Sequence, residues 1–363
     1  MRWSIHWLLV AVPIAVVLKA VGAGAPVLFF CAAVAIVPLA VLIVHGTEQL
    51  AARTGPAIGG LLNATFGNLP ELIIAMVALR AGLLEMVRAS IIGALLANLL
   101  LALGIAFLLG GLRHRVQEYN PAGARSYASM MLLAAVSMVV PGTFNRVLGD
   151  TVPRHAAALD IGVTLVMLAA YALYLVFMLR THPEVFAGAG TPETEHGTRW
   201  SLPRAFATLV LASLGAAWMS EILVGAAEAT GHDLGMSSLF IGIVLLAVLG
   251  GAAESGAAIA MARKNQMDLS VGIAMGSCIQ IALFVTPVLV LSSYLMAPER
   301  LTLGFNRLEI GALFLGVLVG GQVASDGRSN WYKGVQLVAF YLILATTFYL
   351  IPPEAARTIG RSP

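Results

Sequence analysis

Two glutamates stand where a carboxylate is costly to keep. Glu71 lies in Gly59-Gly-Leu-Leu-Asn-Ala-Thr-Phe-Gly-Asn-Leu-Pro-Glu71-Leu-Ile-Ile-Ala75, and Glu254 in Ile241-Gly-Ile-Val-Leu-Leu-Ala-Val-Leu-Gly-Gly-Ala-Ala-Glu254-Ser-Gly-Ala257. An offset of 183 residues carries the first onto the second and, without a gap, Gly59 onto Gly242, Gly67 onto Gly250, Arg80 onto Arg263 and Gly93 onto Gly276. A charged residue at the centre of a membrane helix costs at least about 3 kcal/mol to insert, so a carboxylate kept at equivalent places in a duplicated unit implies a use, and a shared ion site is the use that fits. Two carboxylates with carbonyl and amide oxygens suit a hard cation such as calcium. Burial in hydrocarbon disfavours the bare anion, so the same oxygens hold either protons or the metal, and a site open to each face in turn would exchange one for the other.

The surrounding residues have the types such a site needs. Gly67, Asn68 and Pro70 precede Glu71, and Gly250 and Gly251 precede Glu254. Proline removes a backbone donor and glycine eases unwinding, so both helices are expected to be irregular there, with freed carbonyls available to a cation. The glycines alone would serve close helix packing equally well; the glutamates in register favour the site. Asn68, Ser277 and Gln280 are expected at the site, with Asn98 on the access pathway. Interhelical hydrogen bonds, worth about 0.6 kcal/mol each, are the plainer role for such polar residues. Glu48 and Glu221, in the helices before the two cores, are expected along the access pathway, although solvation near an interface would account for Glu48 as well. Glu85 and Asp268 also match at the same offset but fall in charged connections, where helix capping explains them.

These residues need a membrane to sit in. Of 363 residues, 59% are hydrophobic and 11% charged, and the mean hydropathy is +0.91. Apolar runs long enough to cross the hydrocarbon, about 20 residues, recur near 7–25, 26–45, 56–79, 85–109, 124–141, 157–179, 204–229, 236–262, 267–296, 306–324 and 331–351. The expected fold is an all-α integral membrane protein of about eleven transmembrane helices. The duplication pairs the third span with the eighth; an odd shift of five reverses direction across the membrane, so an extra first helix precedes two inverted five-helix repeats, a recurring plan of secondary transporters. The expected division is 1–25 for the extra helix, 26–180 for the first repeat, 181–202 for a solvated, flexible linker and 203–363 for the second repeat.

The formal charge of +3 reflects loop Lys and Arg, with no cluster suited to nucleic acid. Twelve of the 21 Lys and Arg fall on the side of the N-terminus, which favours a cytoplasmic N-terminus. Arg2, the run Leu8 to Leu18 and Ala23-Gly-Ala25 could pass for a signal peptide, but an uncleaved first helix with Lys19 snorkelling at the boundary is the better reading. Cys31 and Cys278 lie in apolar spans and form no disulfide or zinc framework.

The chain resembles the calcium/proton exchangers, the CAX branch of the calcium/cation antiporter superfamily. The resemblance covers nearly all of it and is most specific in the run before Glu71, in Ser277 to Leu291 and in Ser325-Asp-Gly-Arg-Ser-Asn-Trp331. It implies eleven helices in two inverted halves, export of calcium from the cytoplasm against protons, exchanged carboxylates at Glu71 and Glu254, supporting polar groups at Asn68, Ser277 and Gln280, and pathway acids at Glu48 and Glu221. The chain departs from the family's motifs in three places. Pro70 precedes the first glutamate, Gly251 and Ser255 stand where an asparagine and a histidine are usual, and Ala94 stands where a serine is common.

The expected function is therefore a proton-coupled cation antiporter in a prokaryotic inner membrane, exchanging Ca2+ for H+, with no resident cofactor and with the transported cation, protons and lipid bilayer as its partners. Sodium or potassium exchange is the alternative, favoured if the oxygens missing at Gly251 and Ala94 leave the site too poor for a divalent ion. A membrane enzyme using the paired carboxylates as acid and base would need phosphate-binding arginines beside them, whereas Arg80 and Arg88 lie near helix ends. A passive channel rarely keeps paired carboxylates at midplane.

Overall fold

A computed structural model describes residues 5–54, 56–148, 153–189 and 200–352. Helices account for nearly all of it. In chain order they are α1 (Trp7–Ala20), α2 (Ala25–Thr54), α3 (Pro56–Phe66), α4 (Leu69–Arg80), α5 (Leu84–His114), α6 (Pro121–Leu148), α7 (Ala157–Thr181), α8 (Leu202–Leu234), α9 (Ser238–Gly250), α10 (Ala252–Arg263), α11 (Met267–Met296), α12 (Arg307–Ala324) and α13 (Trp331–Tyr349). Seven are long and apolar enough to cross a membrane singly, and α9 with α10 forms a further span bent by 57°. With α3 and α4 taken as the matching broken pass, the shorter α1, and the 19-residue α13, the rods among the described residues number eleven, as the apolar runs predict.

Helix ends do not coincide with the ends of the apolar runs. At 30 and 33 residues, α2 and α8 are about 45 and 50 Å long, well beyond the roughly 30 Å of hydrocarbon, so they tilt or project from the membrane. Each continues past residues at which the apolar run stops, His45 and Thr230, because hydropathy marks where the bilayer ends while hydrogen bonding carries the helix onward. They cross antiparallel, with Leu39 against Gly215 and Leu209 against Gly46.

The direction of the repeats follows from their connections. The turn at Gly82 packs on Pro298, whereas Asn265 accepts a hydrogen bond from Gln117, just beyond the far end of α5. Since α5 runs unbroken from Leu84 to His114, the equivalent turns at 82 and 265 lie at opposite ends of the bundle, which is the inverted arrangement. Where the halves meet, the Cys278 thiol donates to the Leu95 carbonyl at 3.5 Å, a pair separated by 183 residues, so repeat-equivalent positions touch, as they must beside a two-fold axis.

At the Asn265 end, a small antiparallel ribbon joins β1 (Val116–Glu118) to β2 (Arg328–Asn330). On its exposed face the paired residues Arg328 and Glu118 meet at 3.2 Å. The Lys333 ammonium donates to both Asp326 oxygens at 2.5 and 2.6 Å. Burial would raise the Asp326 carboxyl, but the hydrogen bond and charge of Lys333 outweigh it and hold the group below its ordinary range.

The beginning of the expected flexible linker is packed. Pro183–Ala189 forms a short 3-10 turn whose Phe186 ring lies 5.2 Å from that of Tyr127, 6.0 Å from Phe177 and 6.1 Å from Tyr174. An apolar residue at the membrane edge finds an aromatic pocket there and leaves water. At the linker's other end Trp200 is held by Arg204, 4.6 Å over its ring, and by Gln49, whose Oε1 accepts from the Trp200 amide at 3.0 Å. The middle of the linker, with Glu193, Glu195 and His196, lies outside the described residues.

Candidate functional site

Both glutamate-bearing passes break where their sequences predict. The first half-helix, α3, ends at Phe66 and α4 starts at Leu69, with Asn68 at φ −98°, ψ 32°. Pro70 has no N–H, so the Phe66 carbonyl loses its donor four residues on. The second pass repeats this geometry with Gly251 at φ −79°, ψ 12°. Asn68 and Gly251 thus flank the starts of equivalent half-helices, and Glu71 and Glu254 each occupy the third position of one. The backbone amides of a first turn favour a carboxylate there. Gly251 needs no conformation that only glycine reaches; its lack of a side chain, not its backbone, distinguishes the second break.

Each half supplies side chains to the other half's break. A Cβ on Gly250 would lie 3.0 Å from Glu71 Cγ, so the Glu71 side chain rests on the backbone of the second break. A Cβ on Gly251 would lie 3.2 Å from Asn98 Oδ1 and 3.6 Å from Glu71 Oε1. Reciprocally, a Cβ on Gly67 would lie 3.4 Å from Gln280 Oε1.

Burial without partners sets this cluster apart. Asn68 and Asn98 are 1% exposed, Glu254 and Gln280 7% and Glu71 8%. Both polar side-chain atoms of Asn68, Glu71, Asn98 and Glu254, with Nε2 of Gln280, are buried and meet no hydrogen-bonding group of the described protein. An unsatisfied buried polar group costs about 1–3 kcal/mol, more if charged, so close packing cannot explain such a concentration. Oxygens from two carboxylates and several amides can coordinate a hard cation or accept protons, and that is the chemistry the arrangement allows.

Of the other expected residues, Ser277 is buried on α11, one turn before Gln280. Glu48 is half-buried on α2, 3.8 Å from the His45 imidazole. Glu221 is exposed on α8, on the same face as Glu228 two turns along. Asn98, expected on the access pathway, lies instead in the buried cluster, beside Gly251. A narrow cavity reaches Glu71 between Ser90, Ala94, Ala247, Ile281 and Val285, so Ala94 withholds a hydroxyl from that wall.

Sequence reasoning missed the wide helical turns around the cluster. Ala97–Ala102 in α5 and Ile281–Val285 in α11 are π-helical, at equivalent places in the repeats, and Ile241–Leu246 precedes the second break. Such turns shift the side chains that follow them around the helix and recur at functional sites. Nothing in residue type marks them here. Asp268, expected only to cap a helix, also accepts from the Asn120 amide at 2.7 Å.

The family described as sodium/calcium exchanger protein matches residues 24–180 and again 204–350. A Ca(2+)/H(+) antiporter of Synechocystis is 38% identical over 360 residues, covering 95% of this chain and 96% of that protein. The Ca(2+)/H(+) antiporter ChaA of Bacillus subtilis is 40% identical over 352 residues, covering 96% and 99%. The solved structure of native YfkE superposes with a TM-score of 0.83 at 37% identity, covering 96% of this chain and all of that one.

Proposed function

The chain belongs to the sodium/calcium exchanger protein family, and on that premise we propose that it is a secondary transporter exchanging cytoplasmic Ca2+ for H+ across a prokaryotic inner membrane, with its N-terminus in the cytoplasm. The reading rests on one observation: Glu71 and Glu254, at equivalent breaks in the two repeats, are buried with carboxyl oxygens that meet no hydrogen-bond partner among the described residues. Protons neutralise them in one state and a divalent cation neutralises them in the other. Asn68, Gln280 and Ser277, with carbonyls at Gly67, Gly250 and Gly251, complete the oxygen set for the ion. Because two adjacent carboxylates cannot both be bare in a dry site, release of the cation on one face requires protons to enter there. Alternating access then converts this competition into antiport. Glu48 and Glu221, at half-buried and exposed positions on α2 and α8, serve as acids on the approach.

A second ion choice has its own support. Ala94 lines the cavity at Glu71, and Gly251 adds no amide oxygen, so the site offers fewer side-chain oxygens than a serine and an asparagine there would give, and a six- to eight-coordinate calcium ion draws more on backbone carbonyls and water. Sodium or potassium in place of calcium would follow if water does not fill the difference. Inverted membrane vesicles with an imposed pH gradient distinguish these readings. Addition of Ca2+ should collapse the gradient, while Na+, K+ and Mn2+ do so less. A response to Na+ or K+ alone would replace calcium with a monovalent ion, and no response to any of them would remove antiport.

A further inference from the structure

The half-helix that carries Glu254 is finished by the other half of the protein. At its end, the Ala262 carbonyl accepts from the Gln117 side-chain amide at 2.8 Å, and the same nitrogen donates to Asn265 Oδ1 at 2.9 Å. Asn265 holds a positive φ of 62°, the turn that lets the chain reverse after α10. The next carbonyl, of Arg263, lies 3.2 Å from His114 Nε2. Gln117 is 1% exposed, sits at the centre of β1 opposite Ser329, and packs so closely on Gly110 that a Cβ there would collide with its Oε1. A polar side chain so enclosed is held in one rotamer, and its two bonds have defined directions.

The Glu71 half-helix lacks this tie. After Arg80 its backbone turns through Gly82 with its own amides satisfying Val77, Ala78 and Leu79, just as the amides after Arg263 satisfy Ala260, Met261 and Ala262, but with no side chain added. Among the described residues no side chain bonds the last carbonyls of α4, and a Cβ on Gly82 would meet Pro298 alone. The two carboxylates therefore rest on half-helices of unequal restraint, one anchored at its far end by polar bonds to the first half and one not. A helix of 12 residues is about 18 Å of stiff rod. It hinges only at Gly251, so fixing its far end fixes the rotation and depth of Glu254 at the near end.

We propose that Gln117 is a positioning residue for Glu254: by capping the far end of α10 it sets the carboxylate's place in the ion site. The proposal rests on the two-glutamate reading above. Gln117→Met keeps the shape and removes both donors. In vesicles it should raise the apparent KM for Ca2+ roughly five- to tenfold, with maximal rate within about twofold. Gln117→Glu, also isosteric, puts an acceptor against two acceptors. Its KM relative to wild type should be at least as high at pH 7.5 and should fall as the pH is lowered, because a protonated carboxyl regains one donor. Ser329→Ala alters the same ribbon at a hydroxyl that meets no partner among the described residues, and should change neither value.

A readout independent of transport uses Gly256→Cys, one turn or less from Glu254 at an exposed position with open space around it. Its rate of thiol labelling should change at least threefold with Gln117→Met and stay constant with Ser329→Ala. Should Gln117→Met fail to insert, Asn265→Gly removes one of the two acceptors while suiting the positive φ, and should raise KM two- to threefold. Wild-type vesicles unresponsive to Ca2+ would overturn the ion assignment and leave the labelling test standing. Unchanged KM and unchanged labelling in Gln117→Met, or unchanged KM in Asn265→Gly where the first variant does not insert, would overturn the positioning role.

Discussion

Gly251→Asn restores to the second break the amide that Asn68 supplies to the first, and the structure sets its cost and its gain. The backbone at φ −79°, ψ 12° is open to any L-residue, so no strain arises there. The new Cβ would lie 3.2 Å from Asn98 Oδ1, 3.4 Å from the Ala247 carbonyl and 3.6 Å from Glu71 Oε1. Only the first is tight against a group that can move, and among the described residues the Asn98 amide has no hydrogen bond that would hold it in place. Asparagine at the position before a helix is also better than glycine by a few tenths of a kcal/mol, so the variant should insert and fold. An added neutral oxygen in place of water is worth about 1 kcal/mol, or roughly fivefold in affinity. The ratio of Ca2+- to Na+-driven proton movement in inverted vesicles should rise by about that factor. A rival fate for the side chain is to fold back onto the Glu254 amide as a helix cap. Asn68 makes no such bond at the equivalent position, which argues for the ion-facing rotamer. Gly251→Ala is the control: it introduces the same Cβ without the oxygen and should slow transport without shifting the ratio. A folded, transporting Gly251→Asn with an unchanged ratio would refute the claim that position 251 faces the ion.

Glu71→Gln and Glu254→Gln should each abolish exchange, at least a hundredfold in rate, with normal insertion; near-normal transport by either would sink the two-carboxylate mechanism. Glu85→Gln, half-buried in the first turn of α5 and remote in role from the site, should transport within about twofold of wild type in the same vesicles. Single cysteines at Ala81 and Lys264, in repeat-equivalent turns, should be labelled from opposite faces of the membrane, and labelling from one face would contradict the inverted arrangement. Leu95 lines one small cavity together with the native Cys278, so Leu95→Cys should keep only the Cys31 thiol for alkylation after mild oxidation, measured by intact mass. Three alkylated thiols would mean that the helices do not meet there.

Much of this architecture is legible in the chain because a repeat prints its symmetry in the spacing of unusual residues. A glutamate among leucines is conspicuous, and a second one 183 residues on turns it into a topology. The breaks are legible for the same reason, since Pro70 and the Gly250–Gly251 pair are local and chemically distinctive. What could not be read depends on contacts between distant segments. Asn98 looks like any polar residue in an apolar helix until Gly251 is brought beside it. Gln117 sits in a connection whose composition suggests only solvent, yet it is buried because β2, over two hundred residues away, covers it. Phe186 is illegible for the opposite reason: one apolar residue in a polar stretch carries no periodicity, and only the aromatic cage reveals what it does.

The close seat of Glu71 on Gly250 has a consequence for how the protein is made. The backbone at Gly250 on which Glu71 rests belongs to the second half, which the ribosome adds about 180 residues later, or roughly 10–40 s at ordinary elongation rates. During that interval the first half waits in the membrane with an acid that lacks its seat, a reason for it to linger protonated or beside the insertion machinery. Biogenesis of the two halves is then an obligate sequence of capture, in which α9 and α10 arrive as the missing wall. Two separately synthesised halves should assemble only if the second is present while the first is still held in that waiting state.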